Sequence, residues 1–193
     1  MSENTVWHNM KGLSDLAVAR SLSLIRPLSV IESLNSDSDI LSIGPRTEGE
    51  ILNLMAHGFK PDKVKGLDLI SYSPWIELGD MHNIPYEDNS FDAVVLGWVI
   101  AYSEDRYKAA AEVIRICRNG GIVAVGVEYR ANSNEEIIKQ IGYKPGSLNK
   151  INNTEEILEY FGESVDYIYF RHDALPVAKD KPTSLITIFS IKK

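Results

Sequence analysis

Chemistry in this chain is concentrated where short apolar runs end in glycine or acid. Asp39-Ile-Leu-Ser-Ile-Gly-Pro-Arg-Thr-Glu-Gly49 is followed at once by the helix-patterned Glu50-Ile-Leu-Asn-Leu-Met-Ala56. An apolar run that stops at Gly44 and gives way to a helix reads as a strand, a tight turn and a helix N-terminus. In doubly wound α/β folds a nucleotide-like ligand lies at such a junction. Two further runs end on acids, Val64-Lys-Gly-Leu-Asp68 and Ile76-Glu-Leu-Gly-Asp80. Carboxylates at strand ends can accept hydrogen bonds from ligand hydroxyl or amino groups.

Other chemistries lack their residues. Four scattered histidines and one cysteine make no ligand spacing, so no metal site is expected. No Lys-Ser/Thr pair follows Gly44 and no Gly-x-Gly-x-x-Gly fingerprint is present, which disfavours nucleotide hydrolysis and nicotinamide chemistry. The formal net charge of -7 shows no global basic footprint for nucleic acid. The longest apolar stretch, Ala93 to Ala101, is far short of the roughly 18 residues that span a bilayer. The N-terminus lacks the basic start and apolar run of a signal peptide. A single cysteine agrees with a reducing compartment, and Cys117 falls in a helical pattern as a small apolar residue. These features predict an acidic cytoplasmic protein with no membrane segment.

The positioning elements follow in order. Residues 1–35 form an N-terminal helical extension. Leu13, Leu16, Ala17, Leu22, Leu24, Ile25 and Leu28 recur at helical spacing, and Pro27 divides them into two short helices. Residues 36–193 form the α/β domain: a strand at Ile40–Ile43, a helix at Glu48–His57 stopped by Gly58, and a strand at Val64–Ile70. The stretch between Leu69 and Trp75 has no room for a crossover helix. The segment before Asp80 is therefore expected as a hairpin partner or irregular passage, not a parallel strand. A buried strand at Phe91–Leu96, a helix at Tyr107–Cys117, a stop at Asn119-Gly-Gly121 and a strand at Ile122–Val127 follow. Helices at Ser133–Ile141 and Thr154–Phe161, a turn at Lys144–Ser147, and an antiparallel pair at Val165–Phe170 and Ser184–Ile191 complete the chain. The fold class is α/β: a doubly wound, mostly parallel sheet with a late antiparallel strand and a shortened connection between the second and third strands.

With these elements in place, the chain resembles the class I S-adenosylmethionine-dependent methyltransferases, in their small-molecule branch. The turn at Ile40–Glu50, the strand end Gly66-Leu-Asp68, and Gly79-Asp-Met-His-Asn-Ile-Pro-Tyr-Glu-Asp-Asn-Ser-Phe-Asp-Ala-Val-Val95 carry the resemblance. It implies S-adenosylmethionine as cofactor, with S-adenosylhomocysteine as product, in a Rossmann-like fold. It places Gly44, Arg46, Asp68, Leu69, Asp80, Met81, Gly97 and Trp98 around that cofactor. Asp68 would bind both ribose hydroxyls, Asp80 would accept from the adenine amino group, and Met81 would pack on the ring. Gly97 and Trp98 would lie beside the methionine half. His82, Tyr102, Glu128 and Tyr129 are candidate bases near the strand ends, with Tyr102 and His82 the catalytic choices. Trp75 and Trp98 are candidates for an acceptor-pocket wall or for the core.

The glycine turn departs from the family pattern. An acid two residues before the first glycine, and glycines two and four after it, are replaced by Ser42, Arg46 and Glu48. Arg46 can pair with the cofactor's carboxylate, hold Glu48 or Asp68, or fill the site. Two functions follow: methyl transfer to a small metabolite or glycan intermediate, or a non-catalytic relative that binds the cofactor, its product or another adenosyl ligand. A small-molecule acceptor is implied, with no nucleic-acid partner, and the leader helices or open sheet edges offer a surface for a homodimer.

Overall fold

The computed structural model describes residues 21–142, 150–174 and 183–193. Its elements are α1 (Leu22–Ser29), β1 (Ile40–Ile43), α2 (Glu48–Ala56), β2 (Val64–Asp68), β3 (Ile76–Leu78), β4 (Phe91–Gly97), α3 (Arg106–Ile116), β5 (Cys117–Tyr129), α4 (Asn134–Ile141), α5 (Thr154–Phe161), β6 (Val165–His172) and β7 (Thr183–Ile191). They build one seven-stranded sheet in the order β3-β2-β1-β4-β5-β7-β6. β1 to β5 pair in parallel, whereas β7 runs antiparallel to both β5 and β6. The expected doubly wound sheet with its late antiparallel strand is the observed one.

Continuous apolar runs form the central strands because both sheet faces are covered. Leu96, Val123 and Val125 pack toward Val113, Ile116, Ile157 and Phe161 of α3 and α5. Ala93, Val95, Ile122 and Ala124 pack toward Leu24, Ile25 and Leu28 of α1 and Ile51 and Leu54 of α2. Away from the site, at the start of β1, Asp39 pairs with Lys63 at 3.0 Å and Arg118 at 3.1 Å, and Arg118 also reaches Asp92 at 2.6 Å.

Three expectations need correction. β3 is a parallel strand: Gly66, Leu67 and Asp68 pair with Ile76, Glu77 and Leu78. The connection Leu69–Trp75 is indeed short and carries no helix. A three-residue strand needs only a short return, since the chain climbs back about two residues' rise of ~3.3 Å each before pairing. The need for a long crossover applies to strands of ordinary length. Pro27 does not separate two helices but lies inside α1. An interior proline removes one backbone hydrogen bond, and the complete burial of Leu24, Ile25 and Leu28 on either side holds the helix together. Leu13, Leu16, Ala17 and the turn at Lys144–Ser147 lie outside the described residues. Finally, β5 begins at Cys117, paired with Phe91, rather than after Gly121. The register shifts between Phe91 and Ala93, opposite Gly120 at φ 78°, so the glycines sit in an irregular strand start.

Candidate functional site

The order of strands reverses at β1, which lies between β2 and β4. The crevice beyond the carboxyl ends of β1 and β4 is where such sheets bind ligands. Three residues with positive φ line up there: Gly44 at 68°, Arg46 at 57° and Trp98 at 61°. Non-glycine residues in this region each cost on the order of 1–3 kcal/mol and cluster at functional sites. Gly44 donates its N–H to Leu67 O at 2.8 Å. A Cβ there would lie 2.4 Å from Val99 Cγ2, so the turn is closed from above by Val99. Thr47 caps α2, accepting from the N–H of Gly49 at 3.4 Å.

Asp68 ends β2 beside this turn. Its Oδ2 accepts the backbone N–H of Arg46 at 3.0 Å, and its Oδ1 accepts that of Ile70 at 3.2 Å. Burial pushes its pKa above the ordinary aspartate value, against the opposing pull of these amides and of the Arg46 charge. Each oxygen retains hydrogen-bonding capacity, since a carboxylate offers about four lone-pair sites. Leu69, the next residue, is half exposed.

Asp80 stands two residues beyond β3 and bridges to Asn83. Its Oδ1 accepts the His82 N–H at 2.9 Å and meets His82 Nδ1 at 2.6 Å. The His82 amide, together with its ring, holds Asp80 below the usual carboxylate range. His82 Nε2 meets Ser103 Oγ at 2.7 Å. Both ring nitrogens of the candidate base are therefore engaged. Met81 is partly buried against the core. Tyr102 ends a short 3-10 turn after β4 and is exposed. Glu128 is ion-paired with Arg130, and Tyr129, the last residue of β5, packs partly against the core. The Trp98 indole is buried with the α1 side of the core, beside the position that a Cβ on Gly126 would take. Trp75 precedes β3 and uses its carbonyl to accept the Gly66 N–H at 2.7 Å.

Two features escaped the sequence reading. Glu50 of α2 is buried, 4% exposed, and accepts hydrogen bonds from Ser42 Oγ of β1 and, at 2.8 Å, from Ser21 Oγ. A Cβ on Gly97 would lie 2.6 Å from Glu50 Oε2. The second feature is a clamp from α3. Glu112 Oε2 accepts the Ile84 N–H at 2.7 Å, while Arg115 donates to Ile84 O at 2.8 Å, Tyr86 O at 2.7 Å and Asp88 Oδ1 at 2.9 Å. The loop that starts at Asp80 is thus fixed by an i,i+3 pair that looks in sequence like surface decoration.

Residues 48–125 match the family model described as "Methyltransferase domain". Over that region the chain is similar to methyltransferase domains. The match to the methyltransferase-domain model begins past Gly44, so the altered glycine turn falls outside it. Over 54 residues, 27% of its length, this chain is 43% identical to a demethylmenaquinone methyltransferase of Desulfitobacterium hafniense (strain Y51). That segment spans 21% of the curated relative, about a fifth. Among solved structures, N-methyltransferase NodS from Bradyrhizobium japonicum WM9 in complex with S-adenosyl-L-homocysteine superposes with a TM-score of 0.66 at 16% identity, covering 99% of this chain and 100% of that one. MccD protein superposes with a TM-score of 0.68 at 14% identity, covering 91% and 97%. At these identities the likeness is one of fold.

Proposed function

We propose that this chain binds S-adenosylmethionine and transfers its methyl group to a small-molecule acceptor, a metabolite or glycan intermediate. The observation that carries the reading is a pair of carboxylates at the ends of neighbouring strands: Asp68, the last residue of β2, which accepts the Arg46 N–H of the Gly44 turn, and Asp80, two residues past β3. Asp68, anchored by two backbone amides, accepts from both ribose hydroxyls. Asp80 accepts from the adenine amino group, with Leu69 and Met81 on the ring faces. Gly44, Arg46, Gly97 and the backbone of Trp98 border the methionine half. The named activity of the Desulfitobacterium relative supports the small-molecule branch.

S-adenosylmethionine supplies an electrophilic methyl on a sulfonium. The chain's part is alignment and exclusion of water, because an in-line displacement with a good leaving group needs little more. An acceptor hydroxyl or ammonium also needs a base. Tyr102 stands on the acceptor side for that role, since both His82 nitrogens already have partners.

A second reading is that the chain binds the cofactor or its product without turnover, as a regulatory or scaffolding partner. Val99 packed over Gly44 favours it, because that turn then offers less room. Titration calorimetry with S-adenosylmethionine and S-adenosylhomocysteine tests both readings: absence of binding at millimolar concentration ends them. Transfer of labelled methyl to an acceptor panel separates the first from the second.

A further inference from the structure

Asp80, His82 and Ser103 form a hydrogen-bonded chain of carboxylate, imidazole and hydroxyl, with contacts of 2.6 Å and 2.7 Å. In a nucleophilic relay the hydroxyl faces the substrate and the acid lies buried behind the imidazole. Here the order is inverted: the side chains of Asp80 and His82 are 54% and 21% exposed, while Ser103 is 8% exposed. The chain therefore acts toward Asp80. The carboxylate oxygen of Asp80 can only accept, which puts a ring proton on Nδ1, while Ser103 Oγ, which accepts the Asp105 N–H at 3.2 Å, can offer its hydroxyl hydrogen to Nε2. Nε2 is then the acceptor nitrogen, Nδ1 carries the proton, and Nδ1–H donates to Asp80 Oδ1.

Two donors, the amide and the ring of one residue, thus converge on a single carboxylate oxygen. Oδ2 takes no hydrogen bond from a described residue. The two donors on Oδ1 fix the orientation of the carboxylate and so of Oδ2.

We propose that His82 is a positioning residue for ligand selectivity: braced by Ser103 at its other ring nitrogen, it aims Asp80 so that the site selects a 6-aminopurine. This rests on the adenosyl-binding reading above. Because it acts through Asp80, His82 needs no contact with the ligand.

The test is titration calorimetry of the full chain with S-adenosylhomocysteine and with its 6-desamino analogue, which lacks only the amino group. The ratio of the two affinities reports the Asp80 contact. Wild type is expected to prefer the amino compound about tenfold or more, the value of a charge-assisted hydrogen bond. His82→Gln places its amide at the Nε2 end, loses the ring donor to Asp80 while the backbone N–H remains, and should clearly lower the ratio. His82→Asn keeps an N–H near the Nδ1 position and should preserve most of it. Ser103→Ala, which removes the hydrogen bond that braces the ring at Nε2, should lower the ratio partially. A role in stability alone would weaken both ligands equally and leave the ratio unchanged in His82→Gln; that result, or equal loss in the Asn variant, overturns the proposal. Wild type binding both compounds equally overturns it while the cofactor reading stands. Binding of neither compound removes both.

Discussion

The Glu50 carboxylate occupies the space that a side chain at Gly97 would need, its Oε2 lying 2.6 Å from where that Cβ would be. The glycine at the tip of β4 is thus set by an acid from α2. Gly97→Ala is expected to destabilise the fold by about 1–3 kcal/mol through overpacking. Because the clash is with one carboxylate, Glu50→Ala should relieve part of it. A double-mutant cycle by denaturant unfolding would show positive coupling between the two sites. Additive effects would mean that the clash lies elsewhere.

Gly44 and Gly120 both have positive φ, at 68° and 78°, but only Gly44 is crowded, with Val99 at 2.4 Å and nothing within 4 Å of a Cβ at Gly120. Gly120→Ala should cost about 1 kcal/mol, the backbone preference alone. Gly44→Ala should cost clearly more and also weaken cofactor binding, since Val99 would be pushed into the crevice. Unfolding curves and calorimetry on the same two variants check the contrast.

Asp68→Ala should weaken S-adenosylhomocysteine binding by about 1.5–3 kcal/mol, the value of hydrogen bonds to a charged acceptor. Burial raises the Asp68 pKa, whereas His82 lowers that of Asp80. As pH falls, Asp68 therefore protonates first, above the ordinary aspartate value of 3.8, and the proposed ribose contact should weaken while Asp80 is still ionised. Affinity should start to drop at a higher pH than two unperturbed aspartates would give, and Asp68→Asn should abolish that first phase. For stability the sign is opposite: a raised folded-state pKa favours the neutral carboxyl. The Asp68 contribution is greatest below 3.8 and declines as pH rises through its folded-state value. Calorimetric titration and melting curves across the acid range separate the two effects.

Arg115→Met should release the loop Ile84–Asp88, removing its donors to Ile84 O, Tyr86 O and Asp88. The expected cost is about 2 kcal/mol, with faster amide exchange or proteolysis confined to that loop. Global destabilisation with no local signal would contradict the clamp.

Cys117 is buried at the start of β5, and burial pushes its thiol up to about 12. Native protein should resist alkylation at neutral pH and react once unfolded.

Local sequence was enough for the parts of the fold that rest on short-range pattern. The helix Thr154–Phe161 and the strand Ile40–Ile43 have the expected bounds, because a polar start and an apolar run define them locally. The family resemblance was legible at Gly79–Val95, where spacing along one loop is the whole signal. Cys117 was read as a small buried apolar residue, which it is, but on a strand rather than a helix. Tertiary structure alone decided the rest. That β3 pairs in parallel depends on how short a strand the sheet edge accepts, and that Pro27 sits within α1 depends on the core beneath it. The Glu50–Ser42–Gly97 contact joins α2, β1 and β4, and the Asp80–His82–Ser103 chain joins a loop to the residues before α3. Residues far apart in sequence meet there only after the sheet has formed, and no local periodicity marks a polar group that finds its partner across the fold.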